Sequence, residues 1–169
     1  IRFYQAHGFA DLPYVGKDDL NKVRKRFYQV HGHEATYRPD WAQLLRACLG
    51  RGVTIGMCSA EIPSTLEDSL RRAELYQLFE PALIRGGAWP DKAEVLASIA
   101  TDLHVAPAQC AYVDDTDDGI TAAKRAGFYA IGFSNPTGYN SDKRIRAAQP
   151  DLVVGSFTEL HTRLDRLTA

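Results

Sequence analysis

No apolar run in this chain approaches the roughly 20 residues that cross a bilayer, which predicts that it has no membrane span. No charge of one sign dominates either. Twenty Lys and Arg against 21 Asp and Glu leave a net charge of -1, so the chain carries no nucleic-acid signature and no electrostatic case for an anionic membrane. Cysteine is scarce. Cys48, Cys58 and Cys110 are widely spaced, and two of them lie in apolar, strand-like runs. That is neither a disulfide framework nor a zinc spacing. The expectation is a soluble protein of a reducing compartment, the cytoplasm or an organelle matrix or stroma. No signal peptide, repeat or low-complexity tract is visible. The chain opens at Ile1 without an initiator Met, which predicts a processed or incomplete sequence.

What remains is an ordinary globular composition, 45% hydrophobic and 24% charged, which leaves the pattern along the chain as the informative signal. The length of 169 residues suits a single domain over 1–169. Apolar runs at Val53–Cys58, Ala82–Ile84, Cys110–Val113, Tyr129–Phe133 and Asp151–Val154 read as strands. Helical patterns lie between them. Asp40 caps one that carries Trp41, Leu44 and Leu45, and Pro63 opens a second with Leu66, Leu70 and Ala73 on one face. Asp91 begins a third with Val95, Ile99 and Leu103. A fourth runs from Asp117 to Ala126 and stops at Gly127, and Ser156 caps the last. Such alternation predicts an α/β fold, a three-layer Rossmann-like core with a mainly parallel sheet. Residues 9–37 differ. A charged amphipathic segment from Asp18 to His31, flanked by Gly, Pro and His, reads as a small helical cap or arm.

One stretch stands out. The strand ending at Val113 runs directly into Asp114-Asp115-Thr116-Asp117-Asp118. Packed carboxylates repel, and each raises its neighbours' pKa. A hard divalent cation relieves that conflict, and Mg²⁺ accepts one or two carboxylates while keeping waters that a phosphate can displace. The position, outside the carboxyl end of a strand, is where open α/β sheets bind ligands. Two further polar residues stand at the ends of preceding strands. Ser59, with Ala60 and the following backbone N–H groups, can cradle a phosphate oxygen. Lys92, at the start of the helix after Pro90-Asp91, can neutralise phosphoryl charge. Asp114, Asp115 and Asp118 are the candidate metal ligands.

The order Met57-Cys58-Ser59, then Asp91-Lys92, then Tyr112-Val113-Asp114-Asp115 resembles the haloacid dehalogenase-like superfamily of phosphatases and phosphomutases. There a strand ending in Ser or Thr is followed by a Lys and then by a strand ending in paired acids. The stretch Gly119 to Phe128 looks like the helix after the metal site, and the similarity covers about Arg38 to Val154. The family often carries an acid where Gly119 stands, and Asp118, one position earlier, is expected to substitute.

The resemblance also implies an Asp-x-Asp motif at the end of a first, central strand, whose first Asp attacks phosphorus and whose second acts as general acid and base. Nothing upstream of Ser59 reads so. In one reading Ile1-Arg2-Phe3-Tyr4 is the central strand, Gln5 stands at the nucleophile position and His7 at the acid/base position. The chain would then be catalytically silent, with protein partners in a larger assembly. In the other reading the motif lies upstream of Ile1, and the protein is an active Mg²⁺-dependent phosphomonoesterase or phosphomutase of a small phosphorylated metabolite. A neutral amide cannot form an acyl phosphate, so the two readings exclude each other at Gln5. Sheet completeness favours the first: five strands without their centre would leave inner edges unpaired. The retained Ser59, Lys92 and Asp114-Asp115 favour the second, and the balance falls to the first, silent reading.

Other features carry weaker expectations. His31 and His33 read as a loop pair without further metal ligands. Lys22, Arg24, Lys25 and Arg26 read as a wet helix face, and Trp89 packs near the mouth of the site. Phe27, Tyr28 and Trp41 would be an apolar patch for a partner.

Overall fold

The computed structural model describes residues 37–134 and 142–167. The chain divides into two compact units, 1–37 and 38–169, and the account that follows concerns the second. The arm expected over 9–37 lies outside the described residues except for Tyr37, as do Gln5, His7, His31, His33, Phe27 and Tyr28.

The second unit alternates helices and parallel strands. Helix α1 is Pro39–Leu49, strand β1 Met57–Ser59, α2 Pro63–Arg72, β2 Ile84–Gly86, α3 Lys92–Asp102, β3 Ala111–Asp114, α4 Asp117–Arg125, β4 Tyr129–Phe133, α5 Asp142–Ala147, β5 Leu152–Val154 and α6 Phe157–Leu167. The strands form two ladders: β1 pairs with β2, and β3, β4 and β5 pair in that order, all in parallel. Among the described residues no ladder joins β1 to β3, so the single continuous sheet expected from the alternation is resolved as two pieces.

Strand β4 shows how the layers arise. Successive side chains of a strand point to opposite faces. Ala130 joins Ala93, Leu96, Ile99 and Ala100 of α3 and Ile120, Ala122 and Ala123 of α4 in one buried cluster. Ile131 and Phe133 join Leu44 of α1, Val154 of β5 and Leu160 and Leu164 of α6 in the other. Helices therefore cover both faces of the three-stranded ladder. Trp41 is spent here as well, its ring 5.9 Å from Phe79 and 6.2 Å from Phe157, so it belongs to an aromatic cluster within this unit.

Several local expectations shift. Of the run Val53–Cys58 only Met57 and Cys58 enter β1, because the partner segment Pro81–Leu83 is a 3₁₀ turn and β2 begins at Ile84. The buried face of α3 is Ala93, Leu96, Ile99 and Ala100, not the stripe through Val95 and Leu103. Asp40 lies inside the first turn of α1, and Arg38 is the capping position, held by its own bond to Asp40 at 3.0 Å. The expected helix over Asp117–Ala126 is confirmed within a residue, and Gly127 follows it at φ +79°, a left-handed conformation that glycine adopts without strain. Ser156 caps α6 as expected, its Oγ accepting the Glu159 N–H at 3.0 Å.

Candidate functional site

The first turn of α3 faces the carboxyl end of β3. Asp91 caps α3 by accepting the Ala93 N–H at 2.9 Å, which fixes the next residue, Lys92, at the helix start. Its Nζ lies 3.0 Å from Asp114 Oδ2, with the Asp114 side chain only 9% exposed. The other Asp114 oxygen accepts two bonds from Thr116, from its N–H at 2.8 Å and its hydroxyl at 2.6 Å. Thr116 Oγ1 in turn accepts the Gly119 N–H at 2.9 Å and caps α4. The carboxylate of Asp114 is thus held from both sides by the chain that follows it.

Tyr112 shares the less exposed side of β3 with Asp114, two residues away. Its hydroxyl accepts a bond from Lys92 Nζ at 3.2 Å and donates to the Cys58 carbonyl at 3.1 Å. Burial first, and then the Asp114 carboxylate, push the Tyr112 phenol far above its ordinary range, so it stays protonated. The last residues of β1 are thereby linked to Lys92 and β3.

Asp115 stands beside this pair at the surface. Loss of hydration on its inner side, and then the Asp114 charge, raise its carboxyl above the usual carboxylate range, against a backbone bond and Lys92. Burial is the larger cause, and the charge of the adjacent acid adds to it. Two hard carboxylate donors at a strand end, one of them resisting ionisation, suit a divalent cation that takes the rest of its oxygens from water and substrate.

Asp118 does not join them. It is exposed on the first turn of α4, and among the described residues no three His, Cys, Asp or Glu side chains gather as a metal-holding group. A three-carboxylate set from Asp114, Asp115 and Asp118 is therefore not assembled. The geometry at Gly119 gives the reason that position carries no acid. A Cβ there would lie 2.1 Å from the Asp114 carboxyl carbon. The space is already filled by the Asp114 carboxyl. Asp117, the remaining acid, is bound to Arg144 of α5 at 2.7 Å, and that bond lowers its pKa.

The Ser59 cradle is smaller than expected. Ser59 Oγ accepts the Glu61 N–H at 3.2 Å, and the Ile62 N–H goes to Glu61 Oε1 at 3.0 Å, so two of the backbone donors after β1 are already engaged. Ala60 is exposed in the bend between them. Trp89 lies over Gly87 in the β2–α3 loop, and its indole Nε1 is buried without a hydrogen-bond partner among the described residues.

Two residues of the site escaped the sequence reading. Tyr112 carried a usable signal, since it lies two positions before Asp114 and so must share its face. Thr116 carried another, as a Thr directly before an acidic helix start is a capping residue.

Comparison with known proteins places this geometry. Residues 8–133 match the family model described as haloacid dehalogenase-like hydrolase. The phosphoglycolate phosphatase of Escherichia coli K12 is 28% identical over 145 residues, covering 83% of this chain and 56% of that protein. The same enzyme of Salmonella paratyphi A matches to the same extent. The chain thus spans little more than half the length of these relatives. Among solved structures, a haloacid dehalogenase family hydrolase of Deinococcus radiodurans, determined with bound phosphate and sodium, shares the fold at a TM-score of 0.77 and 23% identity, covering 98% of this chain and 73% of its own. A haloacid dehalogenase-like hydrolase of Streptococcus pneumoniae does so at a TM-score of 0.72 and 20% identity, covering 95% and 80%. The strand order, the Lys92–Asp114 pair and the match over three-quarters of the sequence lead to one conclusion: the chain belongs to the haloacid dehalogenase-like hydrolase family.

Proposed function

We propose that this chain is the core of an active, Mg²⁺-dependent phosphomonoesterase acting on a small phosphorylated metabolite, with its nucleophilic Asp on a strand outside the sequence given. The observation that carries this reading is the Lys92–Asp114 pair at 3.0 Å. A largely buried charge pair is a poor device for stability, because desolvation offsets most of its attraction. Placed at the carboxyl end of β3, with Asp115 beside it, it suits a site that receives a phosphoryl group. Lys92 would neutralise charge on the transferring group, while Asp114 and Asp115 would hold the cation, which lowers the cost of bringing a phosphate dianion to carboxylates. Ser59 would contribute its hydroxyl to a phosphate oxygen.

The silent-subunit reading, with Gln5 and His7 as a degenerate motif, loses support on two counts. The family match begins at residue 8, so Gln5 and His7 fall outside it. The curated relatives are phosphatases by name, and nothing in the described residues favours a protein partner. An upstream strand also suits the sheet. Strands β1 and β3 each pair on one side only among the described residues, and the Tyr112–Cys58 bond brings them within side-chain reach of each other.

The test is the intact mass of the natural protein, followed by a phosphatase assay on that material with and without Mg²⁺, taking phosphoglycolate first because of the relatives. Mg²⁺-dependent turnover abolished by Asp115→Asn, in a chain that carries Asp-x-Asp, is the expected result. A mass beginning near Ile1, with no phosphomonoester turned over, would return the protein to the silent reading.

A further inference from the structure

We propose that Thr116 is the positioning residue of the cation site: its hydroxyl seats the Asp114 carboxylate on the first turn of α4, so that cation affinity depends on that turn. The presence of a cation rests on the phosphatase reading above, whereas the seating itself rests on geometry alone.

The hydroxyl is used twice, in opposite directions. A backbone N–H can only donate. The Gly119 N–H therefore gives its proton to Thr116 Oγ1 at 2.9 Å, and the hydroxyl proton goes to Asp114 Oδ1 at 2.6 Å. The second of these is as short as charge-assisted bonds between oxygens are. The Thr116 N–H adds another bond to the same carboxyl oxygen at 2.8 Å. Oδ1 is thus committed to the turn, and Oδ2 is the oxygen that meets Lys92, at 3.0 Å. Asp114 also bonds the Tyr112 hydroxyl. The three bonds made by Thr116 lie within residues 114–119, one continuous turn of chain, so they do not depend on which strand pairs with the open edge of β3.

Sterics and chemistry agree on this seat. A Cβ at Gly119 would lie 2.1 Å from the Asp114 carboxyl carbon, so the carboxylate rests against the backbone of the helix itself. Capping alone does not require a hydroxyl, since Asn and Asp cap helices at least as well as Thr. Taking one proton and giving another through a single atom does require it. A carboxylate that holds a cation gains from such an outer partner, because the partner fixes its direction before the cation arrives.

The experiment uses the full-length protein with Mn²⁺ standing in for Mg²⁺, its affinity read from water-proton relaxation without any turnover. Thr116→Val removes the hydroxyl at nearly constant shape and should weaken Mn²⁺ about tenfold, the usual scale for losing the partner of a metal-holding side chain. Thr116→Gly, which helix caps tolerate with little loss of stability, removes the hydroxyl in a second way and should weaken it equally. Thr116→Ser keeps the hydroxyl and should keep the affinity. In the Asp114→Asn background Thr116→Val should have no further effect. Ser156→Ala removes the cap of α6; it should lower the melting temperature and leave Mn²⁺ affinity unchanged. Unchanged affinity in Thr116→Val and Thr116→Gly, an equal loss in Thr116→Ser or Ser156→Ala, or the same loss on top of Asp114→Asn would overturn the proposal. A protein that follows the expected pattern but turns over no phosphomonoester would instead overturn the phosphatase reading and leave the positioning role in place. A wild type that takes up no Mn²⁺ would overturn both.

Discussion

The two ladders of this protein are built to different standards. In the three-stranded ladder β4 has four of its five residues buried, with α3 and α4 against one face and α1 and α6 against the other. In the two-stranded ladder both strands are three residues long and only half-buried throughout. Yet the candidate site draws on both, since Ser59 ends β1 whereas Asp114 ends β3. The difference teaches where rigidity comes from. The β3–β5 half is held by packing. The end of β1 is held to it by directed bonds, through Tyr112 to Cys58 and onward to Lys92.

The largest effect should come from cutting the link itself. Lys92→Met is expected to lower phosphatase activity by roughly 10²–10³-fold, as the loss of a charge-stabilising donor does elsewhere. Steady-state kinetics on the natural protein checks this, and an unaffected kcat/KM would remove Lys92 from the site.

The packing contrast is sharpened by paired truncations. Ile131, only 2% exposed, should cost about 3–4 kcal/mol on replacement by Ala. Met57, half-buried on β1, should cost less than half as much. Chemical denaturation measures both, and equal losses would erase the distinction between the two halves.

A third test attacks the geometry beside Asp114. Because a Cβ at Gly119 would lie 2.1 Å from the Asp114 carboxyl, Gly119→Ala must displace that carboxylate from Lys92. The expected cost is about 1–3 kcal/mol, as for other overpacked sites, with activity falling alongside. A variant of wild-type stability and activity would mean that Asp114 moves aside at no cost.

The smallest effect concerns the cap of α3. The Arg125 guanidinium, and then the Ala93 N–H, hold the Asp91 carboxyl below the usual carboxylate range. A depressed folded pKa stabilises the protein above the unfolded value, about 3.9 for Asp, and that contribution disappears as pH falls through the folded value. Melting curves of the wild type and Asp91→Asn should therefore differ slightly near neutrality, begin to converge below about pH 4 and meet only below the depressed folded pKa. Because the pair is exposed, the difference is small. A constant offset at all pH values would show that the carboxylate charge plays no part.

Much of the fold was legible from residues. Helix α4 announced itself by its alanines and by Gly127, and α6 by Ser156, because capping and periodicity are local properties. Strand β1 was overestimated at Val53–Gly56, since a strand exists only where a neighbour accepts its bonds, and the Pro81–Leu83 turn offers none. At the site, the spacing of Ser59, Lys92 and Asp114 was readable, and the structure joins the last two. The Lys92–Tyr112 bond was not readable, because 20 residues separate them and no sequence pattern states which side of α3 meets β3.

The α/β class, the parallel pairing implied by alternation and the acid-rich end of β3 were written in the residues alone, since each follows from periodicity, capping or charge repulsion among neighbours in the chain. Which acid turns inward was settled by the folded arrangement. Asp114 enters the site because Gly119 leaves room for its carboxylate and Thr116 and Lys92 satisfy it. Asp118, equally acidic, stands exposed in the first turn of α4. That choice depends on space and hydrogen-bond partners brought together across the fold, which no local pattern of residues records.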